Sequence, residues 1–118
     1  MLRKICNVIS GLLAVVLLAL AGVLIVPYLM GYTELAVLTG SMQPTLPVGT
    51  LIYVKEVEPE TLQVGDVVTY RLDSDTMVTH RVVEIDPDAQ TLTTQGDANS
   101  DPDGEITFDR LVGKMDFY

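Results

Sequence analysis

The run LLAVVLLALAGVLIVPYLM, residues 12–30, decides in which solvent each part of this chain folds. It lies within a longer stretch, between Lys4 and Glu34, that carries no charged side chain. At about 1.5 Å rise per residue, a helix of this length covers roughly one bilayer hydrocarbon core. In lipid the backbone amides find no water, so a segment this apolar spans as a helix. Gly22 and Pro27 are compatible with that, Pro27 as a kink toward the outer end, and Tyr28 and Tyr32 fall where an interfacial aromatic belt is expected. A signal-peptide reading competes, with Arg3 and Lys4 as the basic start, Ile9 to Leu18 as the apolar segment and Ala19-Leu20-Ala21 as the cleavage site. The apolar run continues past that site through Met30, longer than a cleavable segment, so the expectation is a retained anchor.

Charge orients the anchor. Arg3 and Lys4 precede the run and Glu34 is the first charge after it, so the basic end is expected in the cytoplasm and the remainder outside the cell membrane. All 16 Asp and Glu residues follow the run, leaving the outer part with a formal charge of about −11. That argues against nucleic acid as a partner, which asks for a basic footprint. Cys6 is the only cysteine, and its expected position is before the helix, on the reducing side. No intrachain disulfide and no thiolate metal site can form from it, and no cofactor is implied.

The expected organisation is residues 1–32 as cytoplasmic start and anchor, and residues 33–118 as one small β-rich domain with a thin core. Strand-forming runs are Leu35–Leu38, Leu51–Lys55, Asp66–Arg71, Met77–Ile85, Thr91–Thr94 and Leu111–Met115. Turn signals separate them, among them Pro47-Val48-Gly49, Gly65-Asp66, Asp86-Pro87-Asp88 and Asp101-Pro102-Asp103-Gly104. No stretch after residue 32 keeps helical periodicity for ten residues. The expected fold is a mainly β, compact antiparallel domain, closed or nearly closed to protect its edges. By strand period Val78, His80 and Val82 share one face, and Thr79, Arg81 and Val83 the other.

Chemistry-bearing residues are few. In Thr39-Gly40-Ser41-Met42-Gln43-Pro44-Thr45 the glycine permits a close approach or an unusual backbone angle, and Pro44 stiffens the exit, so Ser41 is a candidate for a fixed, exposed hydroxyl. Such a hydroxyl needs a base, and His80 is the only histidine and the only side chain whose unperturbed proton transfer lies near neutrality. By residue type alone, a serine in a turn and a histidine filling space in a strand are equally compatible readings.

The ordered set of stretches resembles the type I signal peptidases, in their Ser-His branch of archaea, the endoplasmic reticulum and some Gram-positive bacteria. The matching boxes are Gly40-Ser41-Met42-Gln43-Pro44-Thr45-Leu46, Gly65-Asp66-Val67-Val68-Thr69-Tyr70, Thr79-His80-Arg81-Val82-Val83, and Gly96-Asp97-Ala98-Asn99 with Asp103. The resemblance implies a β-domain of the signal peptidase type and a serine endopeptidase that removes signal peptides from exported preproteins after small residues. It implies Ser41 as nucleophile and His80 as base, where the common bacterial branch has a lysine. Thr39 and the Ser41 N–H are the implied oxyanion donors. Asp103 and Asp97 match the family's acidic positions. The reading favours Asp103 as the partner of His80, leaves Asp97 and then Asp101 as alternatives, and allows Asp97 to brace its loop instead. Implied partners are signal peptides of secreted preproteins, membrane lipid and the secretion machinery. Met42 and Leu46 are expected to line shallow pockets for small residues near the membrane surface.

Two departures stand out. Ala98-Asn99 replaces the paired asparagines common in the family, which could loosen local bonding. Many relatives continue past the strand resembling Gly113-Lys114-Met115, some into a second membrane helix, so the chain reads as a minimal or a truncated form. A non-catalytic scaffold subunit is the alternative from another class. A self-cleaving peptidase of the repressor type is disfavoured, since that group uses a lysine base and a DNA-binding domain.

Overall fold

The computed structural model describes residues 1–117, and its contacts divide the chain into two compact units, Met1–Gly31 and Tyr32 onward. The first unit is one helix, α1 (Leu2–Leu29). It begins ten residues earlier than the quoted run, because Ile5, Val8 and Ile9 extend the apolar pattern and no breaker lies before Gly11. Arg3, Lys4 and Cys6 therefore lie inside the helix rather than before it. The helix continues unbroken through Ala19–Gly22 and carries Pro27 in its last turn. It ends where Gly31 takes φ +91°, the left-handed conformation that only glycine adopts without strain, while the Gly31 N–H bonds to the Tyr28 carbonyl at 3.1 Å. Among the described residues α1 is the helix long and apolar enough to cross a membrane, a single-pass arrangement.

The second unit is an antiparallel sheet of β1 (Tyr32–Ala36), β2 (Leu51–Lys55), β3 (Val67–Arg71), β4 (Met77–Asp86), β5 (Thr91–Gln95), β6 (Ile106–Thr107) and β7 (Leu111–Phe117). The sheet order is β1-β2-β7-β3-β4-β5-β6. The last strand is thus inserted between β2 and β3 and joins the β1–β2 hairpin to the β3–β6 meander. Register shifts at Tyr53/Val54, Thr69/Tyr70 and Val82/Glu84 bend the strands. The result is a half-barrel in which β1 and β6 remain short edges.

The core lies in two clusters on opposite faces of β3. Val68 and Tyr70 pack with Leu62, Val82, Leu92 and Ile106. Val67 packs with Met42, Leu46, Ile52 and Val54. This explains why Val67–Tyr70 shows no alternation of burial: both faces of the strand are covered. In β4 the pattern does alternate, with His80 and Val82 buried. The register shift after Val82 then resets the parity, so that Glu84 is exposed and Ile85 rejoins the core face opposite Leu92.

Candidate active site

Ser41 lies in the connection between β1 and β2, in a tight turn closed by Gln43 N–H to Gly40 C=O at 3.1 Å and Leu46 N–H to Met42 C=O at 2.8 Å. Two side chains nail this turn to the core: Met42 is 2% and Leu46 0% exposed. Both also border a cavity of about 360 Å³ beside Ser41 and His80. They are core anchors that happen to floor the cavity, which is a larger role than lining a shallow pocket. Gly40 does not have a positive φ; the close approach occurs at Gly96, where an added Cβ would stand 2.6 Å from the Ser41 carbonyl oxygen.

His80 faces Val68 across the β3–β4 ladder and points to the core side, with 8% exposure. Its Nε2 is 3.0 Å from Ser41 Oγ, and its Nδ1 is 2.6 Å from Asp103 Oδ2. A carboxylate only accepts, so Nδ1 carries the proton and Nε2 is left as acceptor for the serine O–H. Thr39 Oγ1 lies 3.2 Å from Ser41 Oγ. Asp103 is half-buried in an irregular loop; its N–H donates to the Thr94 carbonyl at 2.7 Å, and its Oδ2 accepts the Thr94 hydroxyl at 2.8 Å.

Asp97 is elsewhere. Its two oxygens receive Arg81 Nε and Nη2, each at 2.9 Å, and Oδ2 also accepts the Thr45 hydroxyl at 2.7 Å. Arg81 Nη1 donates to the Gly65 carbonyl at 2.7 Å. The guanidinium of Arg81, and after it the Thr45 hydroxyl, hold the Asp97 carboxyl below its ordinary value although burial opposes them. The reciprocal hydrogen bond raises Arg81. Around this pair the acidic loop grips the Ser41 turn through its backbone. Ala98 N–H donates to the Ser41 carbonyl at 2.9 Å, and Asp97 N–H reaches Met42 Sδ at 3.4 Å. The alanine at position 98 thus uses only its amide, a bond that does not depend on its side chain. Asp101 is exposed in a bend.

The structure therefore brings together Thr39, Ser41, His80 and Asp103, and sets Asp97 in a separate ion pair. Sequence reading did not single out Thr45, Tyr70 or Thr94 as individual contributors. Tyr70 and Thr94 were detectable in principle, because pairing β3 and β5 against β4 puts both on the His80 face; that register depends on the bulge after Val82.

Residues 8–96 match the family model described as signal peptidase, peptidase S26, and the chain belongs to that family. The matched span includes Ser41 and His80 and ends before Asp97 and Asp103. Signal peptidase I W of Bacillus subtilis (strain 168) is 50% identical over 60 residues, which cover 50% of this chain and 32% of that protein. No solved structure matches the chain.

Proposed function

We propose that the chain is a membrane-bound serine endopeptidase that cleaves signal peptides from exported preproteins after small residues, using the Ser-His mode of the family. The observation that carries the reading is the hydrogen-bonded sequence Ser41 Oγ, His80 Nε2, His80 Nδ1, Asp103 Oδ2, with separations of 3.0 and 2.6 Å at its two contacts. In this mechanism Ser41 Oγ attacks the scissile carbonyl carbon as His80 Nε2 takes its proton. The resulting oxyanion accepts the Thr39 hydroxyl and the Ser41 N–H. His80 then gives the proton to the departing amine, the C–N bond breaks, and an acyl-enzyme remains. Water attacks that ester with His80 as base again, releasing the second product and restoring Ser41. Asp103 keeps Nε2 free of a proton at the start and compensates the imidazolium that forms. Asp97 braces the loop through Arg81 and Thr45.

The basic residues at the start of α1 and the acidic remainder support a cytoplasmic N-terminus with the β-domain outside. On this reading the partners are signal peptides at the membrane, lipid and the secretion machinery. A scaffold role would leave the Ser41–His80–Asp103 alignment without purpose. In detergent, Ser41→Ala and His80→Ala should each abolish cleavage of a preprotein peptide bearing small residues at the first and third positions before the cut, with the domain still folded. Wild-type turnover by either variant would overturn the assignment.

A further inference from the structure

Asp103 belongs to a loop without regular structure, so something else must hold its carboxylate in line with the imidazole. Resting on the peptidase reading above, we infer that Thr94, backed by Tyr70, is the positioning residue that aims Asp103 at His80. Thr94 is bound to Asp103 twice: its carbonyl accepts the Asp103 N–H at 2.7 Å and its hydroxyl donates to Asp103 Oδ2 at 2.8 Å. The oxygen so held is the one that meets His80 Nδ1. Thr94 has no exposed surface and is fixed in the ladder opposite Val82, two residues along β4 from His80. A rigid strand therefore carries the registration that the loop lacks, and the β-branched side chain has few rotamers to lose.

Tyr70 completes the set from the other side. Its ring is 2% exposed in the core cluster, and its hydroxyl is 3.3 Å from Thr94 Oγ1 and 3.5 Å from Asp103 Oδ2. Thr94 has one hydroxyl proton, directed at Asp103 Oδ2 by the shorter contact, with the Tyr70 oxygen as its second acceptor, and the Tyr70 O–H donates to the same Asp103 oxygen. Burial pushes the Tyr70 phenol up, against the Thr94 hydrogen bond that lowers it, and the neighbouring Asp103 charge adds to the rise, so the phenol keeps its proton for Asp103. The two hydroxyls thus form one hydrogen-bonded cluster on Asp103 Oδ2, the oxygen that also accepts from the imidazole. No proton needs to travel along it. Its effect is directional: two hydroxyls held by buried residues keep one carboxylate oxygen in one place.

The test uses the full chain in detergent and benefits from its single histidine, since any imidazole proton resonance belongs to His80. Thr94→Val keeps the shape and removes the donor. It should lower kcat by about tenfold or more with KM nearly unchanged, the scale of losing a hydrogen bond to a charged group. The wild type should show a slowly exchanging His80 Nδ1–H signal, and Thr94→Val should abolish it. Thr94→Ser should restore both, and Tyr70→Phe should weaken both to a smaller degree. Thr94→Cys, similar in volume but a poor donor, gives the same two readings should the valine variant not fold. A Thr94→Val enzyme that keeps wild-type kcat, or that loses rate and melting temperature while retaining the Nδ1–H signal, would overturn the inference. Ser41→Ala separates it from the peptidase reading. If that variant still cleaves, the peptidase assignment fails, while the resonance continues to report on Thr94, Asp103 and His80.

Discussion

Two aspartates of one loop, six residues apart in sequence, have opposite surroundings, and the difference separates their expected work. Asp103 accepts from an imidazole, so Asp103→Asn should preserve the fold and substrate binding yet lower kcat by roughly 10⁴-fold, the cost of losing tautomer control in a comparable triad. Single-turnover rates beside melting temperature check this. Asp97 is ion-paired, and its carboxyl is held below the ordinary 3.8 by Arg81. A depressed folded-state value means that the stabilisation is complete above the ordinary carboxylate range and is lost as pH falls through that range toward the folded value. Melting temperature of the wild type should therefore fall below about pH 5, and Asp97→Asn should flatten part of that fall while costing less in turnover than Asp103→Asn. Residue types marked Ser41 and, as the single histidine, His80, and the family resemblance added Thr39, Asp97 and Asp103. The resemblance favoured Asp103 as the partner of His80, but spacing alone did not decide it, because a six-residue loop places either carboxylate within reach.

Among the elements, the acidic loop and the Ser41 turn act as one piece. Backbone contact at Gly96 and the Ala98 N–H fix the Ser41 carbonyl, and the Thr45 hydroxyl and Arg81 meet on Asp97. Gly96→Ala should force the two apart, since its Cβ would lie 2.6 Å from the Ser41 oxygen. A displacement near 1 Å at the nucleophile costs on the order of 100-fold in rate, measurable as kcat against a preprotein peptide. Leu46→Ala, at a fully buried anchor, should destabilise the domain by about 2–5 kcal/mol in denaturant unfolding. Strands β2 to β5 were readable from β-branched and aromatic runs bounded by turn residues. β1 begins three residues before the expected Leu35, because its pairing with β2 extends to Tyr32 opposite Lys55. β6 and the single-turn 3-10 helices at Pro59–Thr61 and Phe108–Arg110 are too short to leave a periodic signal.

At the scale of the molecule, β7 is the strand on which the sheet depends. It pairs with β2 on one side and β3 on the other, and at Gly113 it crosses β2 so closely that an added Cβ would stand 2.5 Å from the Lys55 carbonyl oxygen. Gly113→Ala should therefore lower the domain's stability by about 1–3 kcal/mol, the usual cost of overpacking, as read by thermal or denaturant unfolding. Topology is a separate expectation of the whole chain. Protease added outside intact cells should digest residues 33–118 and leave the α1 segment protected, with intact mass showing an uncleaved N-terminus. Digestion only after lysis would reverse the orientation.

Sequence by itself determined that one apolar helix precedes a small β-domain, since bilayer length and strand composition are local properties of the chain. It also supplied Ser41 and His80 as candidates by their chemistry, and the aspartates through the family resemblance of its ordered boxes. Tertiary structure alone decided that β7 joins the two halves of the sheet, that Gly96 rather than Gly40 is the tight contact, and that Asp103 lies at the imidazole while Asp97 binds Arg81. Each of these is a juxtaposition of residues distant in the chain. Register, bulges and the packing of two core clusters determine it, and none of the three leaves a mark at any single position.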